Sequence, residues 1–501
     1  MSAPYKNAAA ALLFPRLEAQ PDAPAYFSQD TVLTYRGLFE NAARFGRLLE
    51  SLGVGPGDRV ALVLHDTPGA PAAFLGAMLL GACPVFLSTA LRAEDYAFIL
   101  NDSEAKALLV AEDHPAAAQA QSGVSVVSCQ SLGSRDLESF SPDLKPCEPS
   151  PSAPAFMLYS SGSTGRPKGV PHGYRNLLIP AETLGRALDI REQDLFFSAS
   201  KLSFAYGLIA NLCLPLSCGA AGVLFPGKPG PYELFEHIAR FRPTLFFGVP
   251  TLYNLMLRAH EPGQDLNSVR VFYSAGEALP AATFAAWKEA TGREIVNGLG
   301  STEAMNVYIT NEPGRAVAGT TGRLIPGYQA RLIDDAGQEA PPGAKGRLLL
   351  RGEGVCPAYW QRPEKTRETM LADGWLDTGD VFVVQDGVYT HQGRADDMMK
   401  VGAHWVSPLL IENTLLNHPA VAECAVAGCL VEGLEWPCAF VIPKAGTAPG
   451  PALAQELRGH VRELLPDYMC PVRVEFPAEL PKTPTGKVQR FVLREQVRTR
   501  R

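Results

Sequence analysis

The chain predicts an α/β protein: a large N-terminal domain of doubly wound sheets over 1–395, containing a β subdomain at 320–395, followed by a small α+β domain over 396–501. Three observations predict it. Helical periodicity alternates with short, continuously apolar runs, as when strands buried on both faces are joined by crossover helices. "ARLIDDAGQEAPPGAKGRLLLRG" alternates in polarity around a Pro-Gly turn, as a β-hairpin does. Past the charged, apolar-poor "GRADD", helix and strand patterns begin again, and 501 residues exceed what one core holds.

"YRGLFENAARFGRLLESLGVGPGD" sets Leu38, Phe39, Ala42, Ala43, Phe45, Leu48 and Leu49 at helical spacing and stops at a glycine-rich turn. "RVALVL" reads as a buried strand, "PAAFLGAMLLGACPVFLS" as helix then strand, and "AKALLVAE" as a further strand. Gly53 to Gly57 follows a helix and precedes a strand, the reverse of the dinucleotide-binding order, so it is a turn. The run "AAAALLF", closed by Pro15 and Arg16, predicts a surface helix rather than a signal peptide. Two uncharged stretches, Thr67 to Leu91 and Leu202 to Gly227, are long enough to span a bilayer, but prolines and polar residues divide them into buried helix-plus-strand segments. Ser131 to Pro154, rich in Ser, Pro, Asp and Glu, reads as a connection. The last hundred residues give helix "PLLIENTLLNH", strands "VAECAVAG" and "CAFVIP", helix "ALAQELRGHVRELL" and a strand near "VRVEF".

With 46% hydrophobic and 19% charged residues the chain is of globular composition. A net charge of −7 gives no electrostatic reason to expect nucleic acid or an anionic membrane, so a small-molecule substrate is expected. Ten cysteines without a C-x-x-C pair argue against structural zinc or a redox dithiol, and for free thiols in a reducing, cytoplasmic setting.

Five stretches carry chemistry. "YSSGSTGRPKGVPH" supplies backbone N–H groups, hydroxyls and the cations Arg166 and Lys168, as a phosphate loop would; it fits neither the Walker nor the dinucleotide pattern, and a surface loop is the plain alternative. "VFYSAGEALP" is a strand running into small residues that would let a flat ring lie on the backbone, or simply a turn. "NGLGSTEA" offers a hydroxyl and a carboxylate suited to Mg²⁺, or a helix N-cap. "DGWLDTGD" exposes Asp380 to accept from ribose hydroxyls, or to close an Asx-turn. "LPKTPTGKVQR" presents Lys487 on a loop, where a lysine is ordinarily just solvated.

In this order the five stretches resemble the core motifs of the adenylate-forming superfamily of acyl-CoA synthetases, adenylation domains and luciferases. Within it, "KLSFAYGL" and "GRADDMMKVGAHWVSP" look like the benzoate-CoA ligase branch. The resemblance implies a mobile C-terminal domain and ATP, Mg²⁺ and coenzyme A as reactants. It implies that Ser160, Ser161, Gly162, Ser163, Thr164, Gly165 and Lys168 hold the β- and γ-phosphates, and that Gly276, Glu277 and Ala278 flank adenine. Thr302 would touch the α-phosphate, Glu303 would bind Mg²⁺, and Asp380 and Arg394 would hold the ribose. Lys487 would be the catalytic lysine of the first step, Asp396 the hinge, and Lys400 and Gly402 part of the loop that meets coenzyme A.

The resemblance further implies that the acid lies against Phe204, Ala205 and Tyr206, with Gly300 and Asn306 lining the ring pocket. A ring to stack on beside a small residue suits a planar aromatic. Asn306 stands where benzoate-activating relatives often have histidine, which favours a polar ring substituent, as in 2-aminobenzoate or a hydroxybenzoate. "VGA" replaces the usual "VSG" in the loop that meets coenzyme A. The expected activity is aryl-AMP formation followed by transfer to coenzyme A; a free-standing enzyme that loads a carrier protein's phosphopantetheine is the alternative. Many members dimerise, and a homodimer is compatible with the resemblance.

Overall fold

A six-stranded sheet carries the stretch expected to bind phosphate. In a computed structural model describing residues 5–129, 135–150, 153–161, 166–228, 230–402, 404–431, 434–482 and 488–499, its strand order is Ser125–Cys129, Ala105–Ala111, Arg59–Val63, Cys83–Phe86, Phe156–Ser161 and Pro167–His172. All pairs are parallel except the last, a hairpin. "RVALVL" becomes the central strand Arg59–Val63, with Val60 to Val63 buried, as a continuously apolar strand between helix layers must be.

A second sheet of nine strands runs Arg323–Leu324, Asn306–Thr310, Ile295–Ser301, Val271–Ser274, Leu245–Gly248, Leu195–Ser198, Ala221–Val223, Pro24–Ser28 and Thr31–Thr34, parallel inside and antiparallel at both edges. Helices Tyr35–Ser51 and Gly69–Leu79 cross at Gly76, where an added Cβ would stand 2.3 Å from Ala42 O. Only glycine fits that approach. Gly53 to Gly57 is the expected turn, its Gly53 N–H donating to Glu50 O. The expected hairpin forms between Tyr328–Ile333 and Lys345–Gly352 within a four-stranded antiparallel sheet completed by Leu376–Gln385 and Val388–Arg394.

The C-terminal part holds the small sheet Met399–Val401/His404–Val406 and a three-stranded sheet of Val421–Val431, Leu434–Pro443 and Arg473–Glu475, flanked by helices Pro408–Leu416 and Pro451–Leu464. No helix among the described residues is long and apolar enough to cross a membrane. All ten cysteines are free.

Two expectations are corrected. The N-terminal helix, Ala8–Ala19, is not closed by Pro15 but runs through it, and it is no surface helix: Ala8, Ala9, Ala10, Leu12 and Leu13 are buried. Asn7 caps it through Ala9 and Ala10 N–H and donates to Met78 O (2.7 Å) and Cys147 O (2.9 Å). Burial of five apolar side chains outweighs the one helical bond proline removes. The "STEA" segment caps no helix; it turns the hairpin between Ile295–Ser301 and Asn306–Thr310. A final helix, Arg490–Thr499, was not anticipated, because only Leu493 and Val497 of its polar sequence reach the core.

Candidate active site

The phosphate stretch is a hairpin in which Ser160 pairs with Lys168 and Ser161 with Pro167. Gly162, Ser163, Thr164 and Gly165 lie outside the described residues. Ser160 Oγ is buried with no hydrogen-bond partner among the described residues. Lys168 Nζ lies 3.1 Å from Glu303 Oε1 and donates to the Tyr359 hydroxyl (2.6 Å), whose ring centroid is 4.0 Å away. Arg166 sits instead over the Phe98 ring (5.4 Å).

Thr302 and Glu303 occupy the turn between Ile295–Ser301 and Asn306–Thr310. Burial would raise the Glu303 carboxyl, but Lys168 and the Tyr359 hydroxyl (2.8 Å from Oε1) outweigh it and hold the group below the usual carboxylate range. Under the turn, His172 stacks on Phe156 (5.0 Å), and burial lowers its imidazole to about 4, so it stays neutral at pH 7. One anionic carboxylate beside the stretch expected to bind phosphate would suit Mg²⁺, which takes one or two carboxylates plus substrate phosphates. No cluster of three candidate metal ligands occurs among the described residues.

Strands Leu376–Gln385 and Val388–Arg394 place Asp380 opposite Arg394. Asp380 Oδ1 is 3.2 Å from His391 Nε2 and 3.6 Å from Arg394 Nη1. The Asx-turn before it belongs to Asp377, whose Oδ1 accepts from Gly379 N–H (3.0 Å). Burial lowers the Arg394 guanidinium, yet Asp380 and Asp396, with Tyr308 and Glu303, more than offset this and leave it raised. The pair meant for ribose and the acid meant for metal therefore share one electrostatic neighbourhood. Gly276, at φ +92°, and Glu277 and Ala278 follow strand Val271–Ser274, and Thr251 Oγ1 donates to Glu277 Oε2 (3.1 Å).

At the expected acid pocket, Phe204 precedes the short helix Ala205–Leu208, and the Tyr206 hydroxyl donates to Gly248 O (3.1 Å) and Tyr273 O (3.2 Å). An added Cβ at Gly300 would lie 2.3 Å from Asn306 O, so the hairpin closes only with glycine there. Asn306 is 1% exposed and donates to Thr183 Oγ1 (2.7 Å) and Tyr328 OH (3.1 Å), while its oxygen accepts from Val307 N–H (2.9 Å). The amide is thus held by protein partners on both sides. Lys201 donates to Phe225 O, and Leu202 N–H donates weakly to both oxygens of buried Asp66 (3.4 and 3.3 Å).

Burial lifts the Asp66 carboxyl to about 6, against the pull of Lys201 and Leu202 N–H. A carboxyl that titrates higher folded than unfolded stabilises the fold most below its unfolded value and loses that contribution as pH rises through the folded one. Asp66→Asn is expected to flatten the part of the stability slope between about pH 4 and 7 that this group causes. Urea midpoints of both proteins across that range check it; parallel curves contradict it.

Asp396 lies in the turn Ala395–Asp397, and its carbonyl accepts from Arg494 Nη1 (3.1 Å). Lys400 N–H donates to Glu435 Oε2 (2.8 Å), Gly402 has φ +60°, and nearby Trp405 Nε1 donates to Asp335 Oδ2 (3.0 Å). Lys487 lies outside the described residues. Among the flanking residues, Lys482 and Val488 form a bridge, Lys482 lies against Glu423 (2.5 Å), and Arg490 against Glu412 (2.7 Å).

Sequence reasoning missed Tyr359, His391, Asp66 and the Thr183–Tyr328 pair. "PAYWQRP" has no periodicity, and nothing in it shows that Tyr359 folds against Lys168, 191 residues away. His391 was recoverable in principle, since a hairpin register that pairs Asp380 with Arg394 brings it near.

Comparison with known proteins accords with this geometry. Residues 13–360 match the AMP-binding enzyme family and 410–487 its C-terminal domain. The benzoate–CoA ligase of Thauera aromatica is 39% identical over 92% of this chain and 90% of that enzyme. The anthranilate–CoA ligase of Pseudomonas aeruginosa is 35% identical over 96% of this chain and 94% of its own. Among solved structures, the anthranilate CoA ligase AuaEII in complex with anthranoyl-AMP superposes with a TM-score of 0.93 at 38% identity, over 99% of this chain and 98% of its own. The benzoate CoA ligase of Burkholderia xenovorans LB400 gives 0.90 at 38%, over 97% and 99%. The chain belongs to the AMP-binding enzyme family, in its benzoate-CoA ligase-like branch. By class it is an AMP-forming acid–thiol ligase.

Proposed function

We propose that this enzyme converts an aromatic carboxylic acid, a benzoate with a polar ring substituent, into an aryl-AMP with ATP and then into its coenzyme A thioester. The observation that carries the reading is that three segments distant in sequence bring Lys168 to Glu303 (3.1 Å) and, within charge range of Glu303, Asp380 to Arg394 (3.6 Å). The aromatic class is supported by the relatives that use benzoate, hydroxybenzoates and anthranilate.

A carboxylic acid of pKa about 4 is already ionised at neutral pH, so the first step needs no general base. Its obstacle is an anion attacking an anion. Lys168 and the hydroxyl and backbone donors of its hairpin hold the departing pyrophosphate, Asp380 and Arg394 fix the ribose, and Lys487 stabilises charge at the α-phosphate. Glu303 would hold Mg²⁺, which would supply further neutralisation of the phosphates. In the second step a thiol of pKa about 8.5 is partly ionised and AMP leaves readily, so access rather than basicity is the requirement. Rotation at Asp396 withdraws Lys487 and brings the Lys400–Gly402 loop to the pocket. The free thiols support a reducing, cytoplasmic location.

Asp396→Pro, which fixes one backbone torsion at the hinge, is expected to spare aryl-AMP formation and slow thioester formation about tenfold or more. Single-turnover assays of the two steps read this, and unchanged thioester formation removes Asp396 from the mechanism. The substrate class is tested by turnover on benzoate, 2-aminobenzoate, hydroxybenzoates, cinnamate and a medium-chain fatty acid. One substituted benzoate is expected to lead the panel, as relatives that use hydroxybenzoates and anthranilate suggest; preference for the alkyl acid contradicts the reading.

A further inference from the structure

The segment Cys356 to Trp360 lies between the hairpin of Lys168 and the hairpin of Glu303 and bonds to both. Cys356 N–H donates to Glu303 O (2.8 Å), and Trp360 N–H donates to Gly169 O (2.9 Å). Between these main-chain ties, the Tyr359 hydroxyl accepts from Lys168 Nζ (2.6 Å) and donates to Glu303 Oε1 (2.8 Å). Its ring lies 4.0 Å from the same ammonium, a cation–π distance.

Tyr359 is itself held in place. It is 4% exposed and packs with Val170 and Cys356. Its N–H donates to Thr366 Oγ1 (3.0 Å), which in turn donates to Arg362 O (2.8 Å). A fixed phenol therefore touches the two oppositely charged groups assigned above to phosphate and to metal.

Those two groups stand only 3.1 Å apart. They already pair through Oε1, the oxygen that the Tyr359 hydroxyl also binds. Without that hydroxyl the ammonium could settle across both carboxylate oxygens, a tighter pair that a triphosphate would have to break before binding. We propose that Tyr359 is a positioning residue for the triphosphate. It shares Oε1 with the ammonium and accepts one ammonium hydrogen, so the Lys168–Glu303 contact stays on one carboxylate oxygen, with Oε2 left for a cation and the rest of the ammonium for phosphate. The inference rests on the roles given to Lys168 and Glu303 under the proposed function and adds the residue that limits their pairing to one oxygen.

AMP lacks both the pyrophosphate and its cation, so it serves as the internal control. Equilibrium binding of ATP with Mg²⁺, and of AMP, is measured by calorimetry in the absence of any acid substrate. Tyr359→Phe keeps the ring and removes only the hydroxyl. It is expected to weaken ATP·Mg²⁺ about tenfold, equivalent to about 1.4 kcal/mol, and to leave AMP unchanged. Thr366→Val, which loosens the tether of Tyr359, is expected to shift ATP·Mg²⁺ the same way by a smaller factor. Wild-type affinity for ATP·Mg²⁺ in Tyr359→Phe, or equal weakening of ATP·Mg²⁺ and AMP, overturns the proposal. No turnover is involved, so the result stands even if the acid proves not to be aromatic.

Discussion

Lys487→Ala is expected to lower aryl-AMP formation about 10²- to 10³-fold and to leave transfer of a supplied aryl-adenylate to coenzyme A within a few-fold of wild type, since removing one preorganised group that stabilises transition-state charge costs about that much. The two steps differ in where charge accumulates. In the first, a carboxylate approaches a phosphate and negative charge builds on five oxygens around phosphorus, where one added cation acts directly. In the second, a thiolate displaces AMP from a neutral carbonyl, and the triphosphate cation has no role. The substitution should be structurally mild, because the flanking Lys482 is held by Glu423 and Arg490 by Glu412, contacts that do not involve Lys487. Pyrophosphate exchange reads the first step and single-turnover thioester formation the second; equal loss of both contradicts the role.

Glu303→Gln should have a comparable effect on the first step, by about 10²-fold or more, together with a higher Mg²⁺ requirement. Glutamine keeps the shape and an oxygen for the Tyr359 hydroxyl but removes the charge that pairs with Lys168. Lys168 then faces the pocket without its partner. Because Lys168 and Tyr359 hold the Glu303 carboxyl below the usual range, the wild-type first step should show no acid limb from this residue near pH 4 to 5. Rate against Mg²⁺ concentration and pH checks both parts; a variant with the wild-type Mg²⁺ requirement would remove Glu303 from the metal's site.

Much of this was legible in the chain because local pattern and local chemistry coincide. "RVALVL" could only be a strand covered on both faces, and the hairpin around "PPGAKG" follows from alternation and a turn. The phosphate stretch declared its donors by composition. What escaped were relations across the fold. Pro15 reads locally as a stop, yet burial of the preceding turn carries the helix past it. "STEA" reads as a hydroxyl and carboxylate for Mg²⁺ or as a helix N-cap, and the strand partner Asn306–Thr310 shows that it turns a hairpin and caps no helix. Asn306 was visible as a polar residue at a ring pocket, but Thr183 and Tyr328, which engage its amide, come from segments 123 residues before it and 22 after it. Tyr359 is the strongest case, since it acts only where three segments meet.

The most direct test of the two-step account is product stoichiometry with ATP, Mg²⁺ and the preferred aryl acid, with and without coenzyme A and with no carrier protein present. The account predicts sustained turnover only when coenzyme A is added, with AMP, pyrophosphate and aryl-CoA formed in equal amounts. Pyrophosphate release that ignores coenzyme A and stalls after about one equivalent per enzyme would contradict it, and would make a carrier-borne thiol the acceptor.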